Sequence, residues 1–317
     1  MTRPVAVVTV TFNAADHVTA MVASVQAGRS AGAVPIVAVD NGSTDGTVGE
    51  LRKLAGVQVI EQSNLGYAGG VNRGIEVAPA DHDILVLNPD MVLQPGCVEA
   101  LSETLHRSAS NAIAVPALYN EDGELQPSLR REPTWWRTLA ETLVGGTRAG
   151  RLGEAYRPEA SVAEPQVADW ATGAAMLVRR EALDELGPWD ESFFLYSEET
   201  EFCLRVRDAG YRLVVEPQAA AMHIGGEMSR NPRLWALRAV NRVRLHGRRR
   251  GRLATAMFRA TAILFELRRA LTGDVVSRTA LWALTVRDLD AEAVRLTTAL
   301  GGDPRPILDA LSQPQEP

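Results

Sequence analysis

The first 117 residues alternate between short apolar segments rich in β-branched residues and longer segments with helical periodicity. This alternation indicates a parallel sheet covered by helices on both faces, because strands buried on both faces are continuously apolar. The predicted strands are Val5–Thr11, Ile36–Asp40, Val57–Glu61 and Ile84–Asn88, and the predicted helices are Asp16–Ala27, Thr47–Leu54, Ala68–Val77 and Cys97–Arg107. The expected fold class is therefore α/β with a mostly parallel sheet.

The pattern changes after this alternation. From Tyr119 to Pro165, Pro, Gly, Arg and Trp dominate, which is typical of a loop-rich connection. Regular structure is predicted to resume at Val167–Val178, followed by helices at Arg180–Leu186 and Glu198–Ala209 and a strand at Tyr211–Val215. Beyond Asn231 the chain is expected to be helical, because apolar residues recur at spacings of three and four.

Charge is distributed unevenly along the chain, whose net charge is −6. Between Arg230 and Arg269 there are twelve arginines and one acid, Glu266. Such asymmetry predicts an anionic partner near the C-terminal end, which could be nucleic acid, phospholipid headgroups or a phosphorylated acceptor. A solvated helix face packed on its apolar stripe is the alternative explanation.

Composition indicates a protein of a reducing compartment. The two cysteines, Cys97 and Cys203, form neither a disulfide framework nor a metal-ligand spacing. The N-terminal apolar stretch is short and mixed with Thr, as in a first strand rather than a signal peptide. No segment approaches roughly 20 uncharged apolar residues, the length that spans a bilayer. We therefore expect a cytoplasmic protein.

Polar residues follow the predicted strands where ligands of parallel sheets bind. Asp40 ends a strand before Asn-Gly, so its carboxylate can accept hydrogen bonds from a base or ribose. A turn that caps the next helix explains the same segment. The Gly-rich segment Asn64–Gly74 lets a backbone approach a ligand closely, but it matches neither a dinucleotide fingerprint nor a Walker loop.

Two further segments carry side chains suited to catalysis. Asn88-Pro-Asp90 presents oxygens that Mg²⁺ or Mn²⁺ prefers, although an ordinary Asn-Pro turn is common. Three acids open a predicted helix at Glu198, Glu199 and Glu201, where one could act as a general base. The helix dipole alone also favours acids in a first turn. His223 follows a strand and is either structural or a metal ligand beside Asp90.

The order of these segments resembles inverting family 2 glycosyltransferases, in particular their bacterial rhamnosyltransferase-like branch. The similarity covers Val5 to Ser229, and the matching segments are Thr11-Phe12-Asn13, Asp40–Gly46, Asn64-Leu65-Gly66, Leu87–Asp90, Gly173–Leu177, Trp189–Phe194, Tyr196–Glu199 and His223. The resemblance implies a GT-A fold. The domains that we expect are a catalytic domain at 1–230, with a nucleotide-sugar-binding half at 1–117 and an acceptor-binding half at 118–230, and a C-terminal helical extension at 231–317.

The resemblance also implies roles for individual residues. Asp90 matches the last aspartate of the family's Asp-x-Asp metal motif, His223 matches a histidine that often completes the metal shell, and Glu199 matches the catalytic base. The candidate substrate-binding residues are Thr11, Phe12, Asn13, Asp40, Asn64, Gly66, Gly69, Asn72, Asn88, Trp170, Gly173 and Glu198. The implied cofactor is Mg²⁺ or Mn²⁺.

The sequence departs from the family pattern at two functional positions. Asn88 replaces the first acid of the metal motif, which is usual for the branch and leaves one fewer charge on the metal. Glu199 stands where an Asp is usual and is one methylene longer, so the neighbouring Glu198 is a possible substitute as base.

The expected partners are a nucleotide diphosphate sugar and a saccharide or lipid-linked acceptor, and the resemblance favours thymidine diphosphate rhamnose as the donor. Peripheral contact with the inner face of the cell membrane through the arginine-rich helices is a further expectation. A nucleotidyltransferase is the enzymatic alternative, but the loop from Thr11 to Asp16 lacks the basic residue that holds a triphosphate. The non-enzymatic alternative is a nucleic-acid-binding module with a basic tail. That alternative leaves the acidic motifs after the predicted strands unexplained.

Overall fold

A computed structural model describes residues 3–27, 34–156, 166–225 and 230–313, and the structural statements below refer to these residues. The strands are β1 (Val5–Thr11), β2 (Ile36–Asp40), β3 (Val57–Glu61), β4 (Asp83–Leu87), β5 (Met91–Leu93), β6 (Asn111–Tyr119), β7 (Leu129–Arg130), β8 (Ala155–Tyr156), β9 (Gln166–Ala168), β10 (Trp170–Ala171), β11 (Ala175–Val178) and β12 (Arg212–His223). The helices are α1 (Ala15–Gln26), α2 (Thr47–Leu51), α3 (Gly66–Val77), α4 (Cys97–His106), α5 (Trp135–Ala140), α6 (Arg180–Leu186), α7 (Glu198–Asp208), α8 (Pro232–Arg249), α9 (Arg252–Leu271), α10 (Val275–Thr285), α11 (Leu289–Ala299) and α12 (Arg305–Ser312).

The main sheet has the strand order β3-β2-β1-β4-β11-β6-β12-β5, with β9 beside β12. Strands β3, β2, β1 and β4 run parallel, and β11 then pairs antiparallel with both β4 and β6. Every residue of β1, β2 and β4 is buried, because hydrophobic clusters cover both faces of the sheet. The predicted α/β fold class is confirmed, and the carboxyl ends of β1, β2 and β4 meet at one edge of the sheet.

The structure after β6 departs from the prediction at two places. β12 is longer than the predicted strand Tyr211–Val215, because it continues past a register shift to pair with β5. The segment predicted as loop-rich contains β7 and β8, which form a small antiparallel sheet with β10, and α5. A π-helical turn at Glu141–Gly145 and a 3₁₀ segment at Gly146–Leu152 follow α5. Residues 157–165 of that segment lie outside the described residues.

The C-terminal helices pack against the preceding part of the chain. Helices α8, α10 and α11 share a third hydrophobic cluster with Phe194, which lies in the loop before α7. Helix α9 packs against α5 and α10. No described helix has the length and apolar composition needed to cross a bilayer.

Most of the arginine run has partners inside the protein. The ion pairs are Arg242 with Glu154, Arg244 with Asp290, Arg248 with Asp190, Arg249 with Asp208, Arg250 with Glu132 and Arg269 with Asp274. Arg233, Arg259 and Arg268 donate hydrogen bonds to backbone carbonyl oxygens. These contacts attach α8 and α9 to the rest of the chain, so the run is mainly structural.

Candidate active site

Asp40 organises the loop at the ends of β1 and β2. Its carboxylate is buried and accepts a hydrogen bond of 2.8 Å from the Thr11 hydroxyl. The backbone N–H groups of Gly42 and Ser43 donate to its other oxygen at 3.1 and 2.8 Å. Asp40 therefore fixes the loop that follows β2 and joins it to the end of β1. Its predicted contact with a nucleotide remains a prediction.

The adjoining loop after β1 presents an exposed aromatic ring. Asn13 adopts a left-handed backbone with a φ of 52°, and its side-chain oxygen accepts a hydrogen bond of 2.9 Å from the Thr44 N–H. The Asn13 N–H donates to the Ser43 hydroxyl at 2.8 Å, which joins the two loops. Phe12 is 48% exposed beside this junction, so its ring face is accessible for stacking on a nucleobase.

The glycines of α3 allow close packing within the protein. Gly66 has a φ of 83°, and a Cβ added there would lie 2.1 Å from the carbonyl oxygen of Phe194. An added Cβ on Gly69 would lie 2.9 Å from Cβ of Leu65. Protein atoms fill the space beside these two positions, so internal packing alone requires glycine there. These glycines therefore give no information on whether a ligand lies nearby.

Two asparagines near these glycines hold neighbouring loops. Asn64 accepts a hydrogen bond of 3.2 Å from the Gly66 N–H through Oδ1. Asn72 is buried, and its Nδ2 donates to the carbonyl oxygen of Trp189 and to Glu191 at 2.9 and 2.8 Å. Both N–H groups of the Asn72 side chain are thus engaged, and a role in substrate binding remains a prediction for both residues.

Strand pairing brings Asp90 and His223 together. Asp90 immediately precedes β5, and β5 pairs antiparallel with β12 so that Met91 lies opposite His223. His223 Nε2 lies 3.3 Å from Asp90 Oδ2, and the Gly225 N–H donates to the same oxygen at 3.2 Å. The antiparallel return of β12 thus joins two residues far apart in sequence.

The Asp90 carboxylate has the properties of a ligand for a hard divalent cation. Burial tends to raise its pKa, but the hydrogen bond and charge of His223 outweigh burial and hold the pKa below the usual aspartate value. Its Oδ1 is buried and has no hydrogen-bond partner among the described residues. No group of three His, Cys, Asp or Glu side chains suited to a metal occurs in the described ranges. Asp90 and His223 therefore fit a cation whose remaining ligands are phosphate oxygens and water.

Tyr67 connects this segment to the helix that carries the candidate base. Its hydroxyl donates toward Asn88 Oδ1 at 2.8 Å and lies 3.0 Å from the carbonyl oxygen of Gly173. An added Cβ on Gly173 would lie 3.3 Å from Cβ of Glu199, so Gly173 permits this close approach. The side chains of Asn88, Tyr67 and Glu199 are therefore neighbours around Gly173.

An unusual turn positions Glu198 and Glu199 at the start of α7. Tyr196 and Ser197 both have positive φ, at 66° and 82°, which is rare for residues other than glycine. Such conformations persist where surrounding contacts hold them, and they concentrate at functional sites. Asn241 of α8 supplies two of these contacts, because its Nδ2 donates to the carbonyl oxygens of the two residues before Ser197.

The two glutamates are neighbours whose charges interact, with Glu198 buried and Glu199 half-buried. Burial raises the pKa of Glu199, and burial together with the charge of Glu199 raises the pKa of Glu198 well above the usual range. Oε2 of each is buried without a hydrogen-bond partner among the described residues. A carboxylate with a raised pKa and a vacant acceptor oxygen is suited to accept a proton.

An open pocket adjoins Glu199, and α8 forms one of its walls. Its lining includes Trp170, Tyr196, Glu199, Arg238 and Arg242. Local sequence patterns do not single out Arg238, Arg242, Tyr67 or Asn241 as site residues. The spacing of four between the two arginines places them on one helix face, which is the only sequence feature that indicates their common location.

Comparisons with known proteins find relatives of this chain. The family model described as "Glycosyl transferase family 2" matches residues 6–187. The chain is 30% identical over 236 residues to an N-acetylglucosaminyl-diphospho-decaprenol L-rhamnosyltransferase of Mycobacterium tuberculosis H37Rv, covering 70% of this chain and 76% of that protein. It is 28% identical over 167 residues to the rhamnosyltransferase WbbL of Escherichia coli K12, covering 50% of this chain and 61% of the relative.

A solved structure supports the fold. The mannosyltransferase PcManGT of Pyrobaculum calidifontis, in complex with GDP-Man and Mn²⁺, superposes with a TM-score of 0.55. The match covers 99% of this chain and 89% of that chain at 15% identity. At this identity the likeness concerns the fold alone.

Proposed function

The chain belongs to glycosyl transferase family 2, and from this premise we propose that it transfers a sugar with inversion from a nucleotide diphosphate donor to a hydroxyl group of a saccharide acceptor. The observation that carries the proposal is the placement of Glu199 beside an open pocket, with Tyr67 between it and Asn88. The Glu199 end of this arrangement suits an acceptor hydroxyl, and the Asn88 end suits a diphosphate.

Inverting transfer is a single displacement at the anomeric carbon. Glu199 accepts the proton of the acceptor hydroxyl while the new oxygen–carbon bond forms. The bond from the anomeric carbon to the donor diphosphate breaks, and the nucleoside diphosphate leaves with the bonding electrons. This assignment requires Glu199 to lie on the face of the sugar opposite the diphosphate, and its place in the pocket is consistent with that requirement.

Asp90 and His223 are the residues that would hold Mg²⁺ or Mn²⁺. A divalent ion, when bound, neutralises negative charge that develops on the leaving diphosphate. The vacant buried Oδ1 of Asp90 supports this role, because a buried carboxylate oxygen without a partner is otherwise unfavourable. The hydrogen bond from Gly225 orients the other oxygen.

The donor nucleotide is proposed to bind at the ends of β1 and β2. Phe12 offers a ring face for the base, while Asp40 and Asn13 hold the two loops in register. Rhamnose is the proposed sugar, and the relatives' names support it. The proposed acceptor is an N-acetylglucosamine on a lipid diphosphate, by similarity to the mycobacterial relative, as in cell-surface polysaccharide synthesis.

A membrane contact is proposed through the apolar face of α9 rather than through the arginines. Only Phe258 and Glu266 of this helix are buried. Its exposed apolar residues are Leu253, Met257, Leu264, Leu267 and Leu271. Exposed Leu143 and Val144 lie on the adjacent π-helical turn, and Arg148 and Arg252 add exposed positive charge. An apolar face flanked by cations suits an anionic lipid surface, where a lipid-linked acceptor would reside.

Donor turnover tests the proposed reaction. Thymidine diphosphate rhamnose, UDP-N-acetylglucosamine and GDP-mannose are each offered with the N-acetylglucosamine acceptor, and product is followed by NMR. We expect transfer from the rhamnose donor and a product whose anomeric configuration is opposite to that of the donor. Retention of configuration would contradict inversion, and transfer from only another donor would contradict the choice of sugar.

Flotation with vesicles tests the membrane contact separately. Native protein should float with phosphatidylglycerol vesicles, and the double variant Leu264→Glu/Leu267→Glu should remain in solution. Leu311→Glu, an exposed leucine on α12, is the matched control and should float like the native protein. Equal flotation of native protein and the double variant would contradict the proposed face.

A further inference from the structure

Two arginines near the candidate base, Arg238 in the pocket wall and Arg130 of β7, have side chains that form no hydrogen bond or ion pair with the residues that the structure describes. Arg238 lines the pocket with Glu199, yet it forms no hydrogen bond or ion pair with any described residue. Arg130 of β7 has an Nη1 that is closed off from solvent and has no hydrogen-bond partner in the same ranges. The guanidinium carbon of each lies near a tryptophan ring centroid, at 5.1 Å from Trp235 for Arg238 and 5.8 Å from Trp170 for Arg130.

The nearby acids do not form ion pairs with these two arginines. Glu154 is buried and pairs with Arg242, and Glu141 accepts hydrogen bonds from the backbone N–H groups of Glu154 and Ala155. Burial, together with the charge of Arg242, lowers the pKa of Arg238 to about 10, so the group stays protonated at neutral pH. Both arginines are half-buried, and a cation that is partly removed from water is unfavourable unless it has a partner. The vacant donors of Arg130 and Arg238 therefore indicate a site for an anion.

The chemistry of guanidinium indicates which anion. Its planar set of N–H donors matches the oxygens of phosphate, and two such groups suit a diphosphate. In-line displacement requires the base to lie opposite the leaving diphosphate of the donor. An anion on the side of Glu199 therefore belongs to the acceptor, not to the donor.

We propose that Arg130 and Arg238 bind a phosphate group attached to the acceptor sugar, so that the acceptor is recognised as a sugar phosphate ester. This inference rests on the proposed function, because Glu199 defines the acceptor side of the pocket. It assigns the recognition of the acceptor to β7 and α8, which lie outside the nucleotide-binding half. The wall formed by α8 thus gives the C-terminal helices a part in substrate selection.

A matched pair of acceptors tests the proposal. One is N-acetylglucosamine joined through a diphosphate to a short alkyl chain, and the other is the alkyl glycoside without phosphate. At saturating donor, the KM of the native enzyme for the diphosphate acceptor should be about 10–100-fold lower than its KM for the alkyl glycoside. Charge-assisted hydrogen bonds to the phosphate would account for this difference. Arg238→Met should raise that KM by a similar factor, and the KM values for the neutral acceptor and the donor should hold. Arg130→Met should likewise raise the KM for the diphosphate acceptor and leave the other two KM values unchanged.

Thermal stability separates a binding role from a structural one. Methionine has a length similar to arginine and removes a half-buried charge that has no ion-pair partner, so Arg238→Met should melt at or above the native temperature. If Arg238 served only to pack on Trp235, the variant would melt lower and would lose both acceptors equally. That result, or equal KM values for the two acceptors in the native enzyme, would overturn the proposal. The control Arg278→Met, an exposed arginine of α10, should change neither property.

A binding measurement keeps this inference separate from the proposed transfer. Inorganic pyrophosphate is titrated in chelator, which removes any divalent ion, and the melting temperature is followed. It should stabilise native protein and the Arg278→Met control, but Arg238→Met much less. Pyrophosphate stabilisation without transfer to either acceptor would contradict the proposed function and retain the anion site. Transfer to both acceptors with equal KM values, together with no stabilisation by pyrophosphate, would retain the proposed function and contradict the anion site.

Discussion

The side-chain Nδ2 of Asn241 donates a hydrogen bond of 3.3 Å to the carbonyl oxygen of Tyr196, a residue held in the left-handed region. Asn241 is fully buried in α8, and Tyr196 lies two residues before α7. The same amide donates to Leu195, and Arg244 donates to the Asn241 side-chain oxygen at 2.8 Å. A C-terminal helix therefore holds the turn that positions Glu199.

Asn241→Leu should lower kcat while leaving the KM for the donor nearly unchanged, because it releases the turn and not the nucleotide loops. Loss of the hydrogen bonds should also cost about 1–3 kcal/mol of unfolding free energy, since buried polar groups are left unpaired. Steady-state kinetics and chemical denaturation measure the two effects. Thr297→Val, which removes a buried hydroxyl without a hydrogen-bond partner in the described ranges, should change neither. An Asn241→Leu enzyme with native kcat would show that the turn needs no such support.

Asp40→Asn should weaken binding of the donor nucleotide by roughly 5–150-fold, which corresponds to about 1–3 kcal/mol for a buried hydrogen-bonding group that loses its partner. The amide cannot accept from Thr11, Gly42 and Ser43 as the carboxylate does, so the loops lose their register. Calorimetry with the nucleoside diphosphate measures the affinity. Asp122→Asn, in an exposed loop, is the control. Unchanged affinity in Asp40→Asn would show that Asp40 is only a turn residue.

Asp90→Asn should abolish most turnover while the protein remains folded, because it removes the charge that would hold a divalent ion. Several kcal/mol of transition-state stabilisation correspond to a loss of about 10²–10³-fold or more in kcat. Activity assays with added Mn²⁺ or Mg²⁺, and with excess chelator, measure the effect. Asp81→Asn removes an exposed aspartate that also pairs with a histidine, and it should remain active. Full native activity in chelator would refute metal dependence.

The pH dependence of kcat follows from the raised pKa of Glu199. A protonated carboxyl cannot accept the hydroxyl proton, so kcat should fall as the pH falls through that pKa. Because burial raises the pKa, the acid limb should lie above the ordinary glutamate value of about 4.3. The limb should vanish from the residual rate of Glu199→Gln. An acid limb at or below the ordinary value would indicate a solvated carboxylate or a different base.

Local sequence was sufficient to predict the strands next to the proposed donor site. β1, β2 and β4 are buried on both faces, so their residues are apolar without interruption and their ends are marked by Thr11, Asp40 and Asn88. For His223, local patterns left a structural role and a metal site with Asp90 as alternatives, and only the resemblance favoured the second. The pairing of β12 with β5 brings the two residues together, and local patterns do not show this pairing.

The acceptor side could not be predicted because its residues act through long-range packing. Arg238 and Arg242 were counted as part of a basic run, but a count of charges does not reveal which charges have partners. The sequence also could not show why position 66 is glycine. A glycine is required both where another part of the protein approaches closely, as Phe194 does here, and where a ligand does. Only the fold distinguishes these cases.

Glu199→Gln tests the central claim most directly, because glutamine keeps the size of the side chain and removes the basic oxygen. Single-turnover rates are measured beside donor affinity, with Glu201→Gln as a control on the same helix, where Arg205 pairs with the native carboxylate. If Glu199 is the base, the chemical step should slow by about 10²–10⁴-fold while donor affinity holds. A near-native rate for Glu199→Gln beside an inactive Glu198→Gln would contradict the assignment.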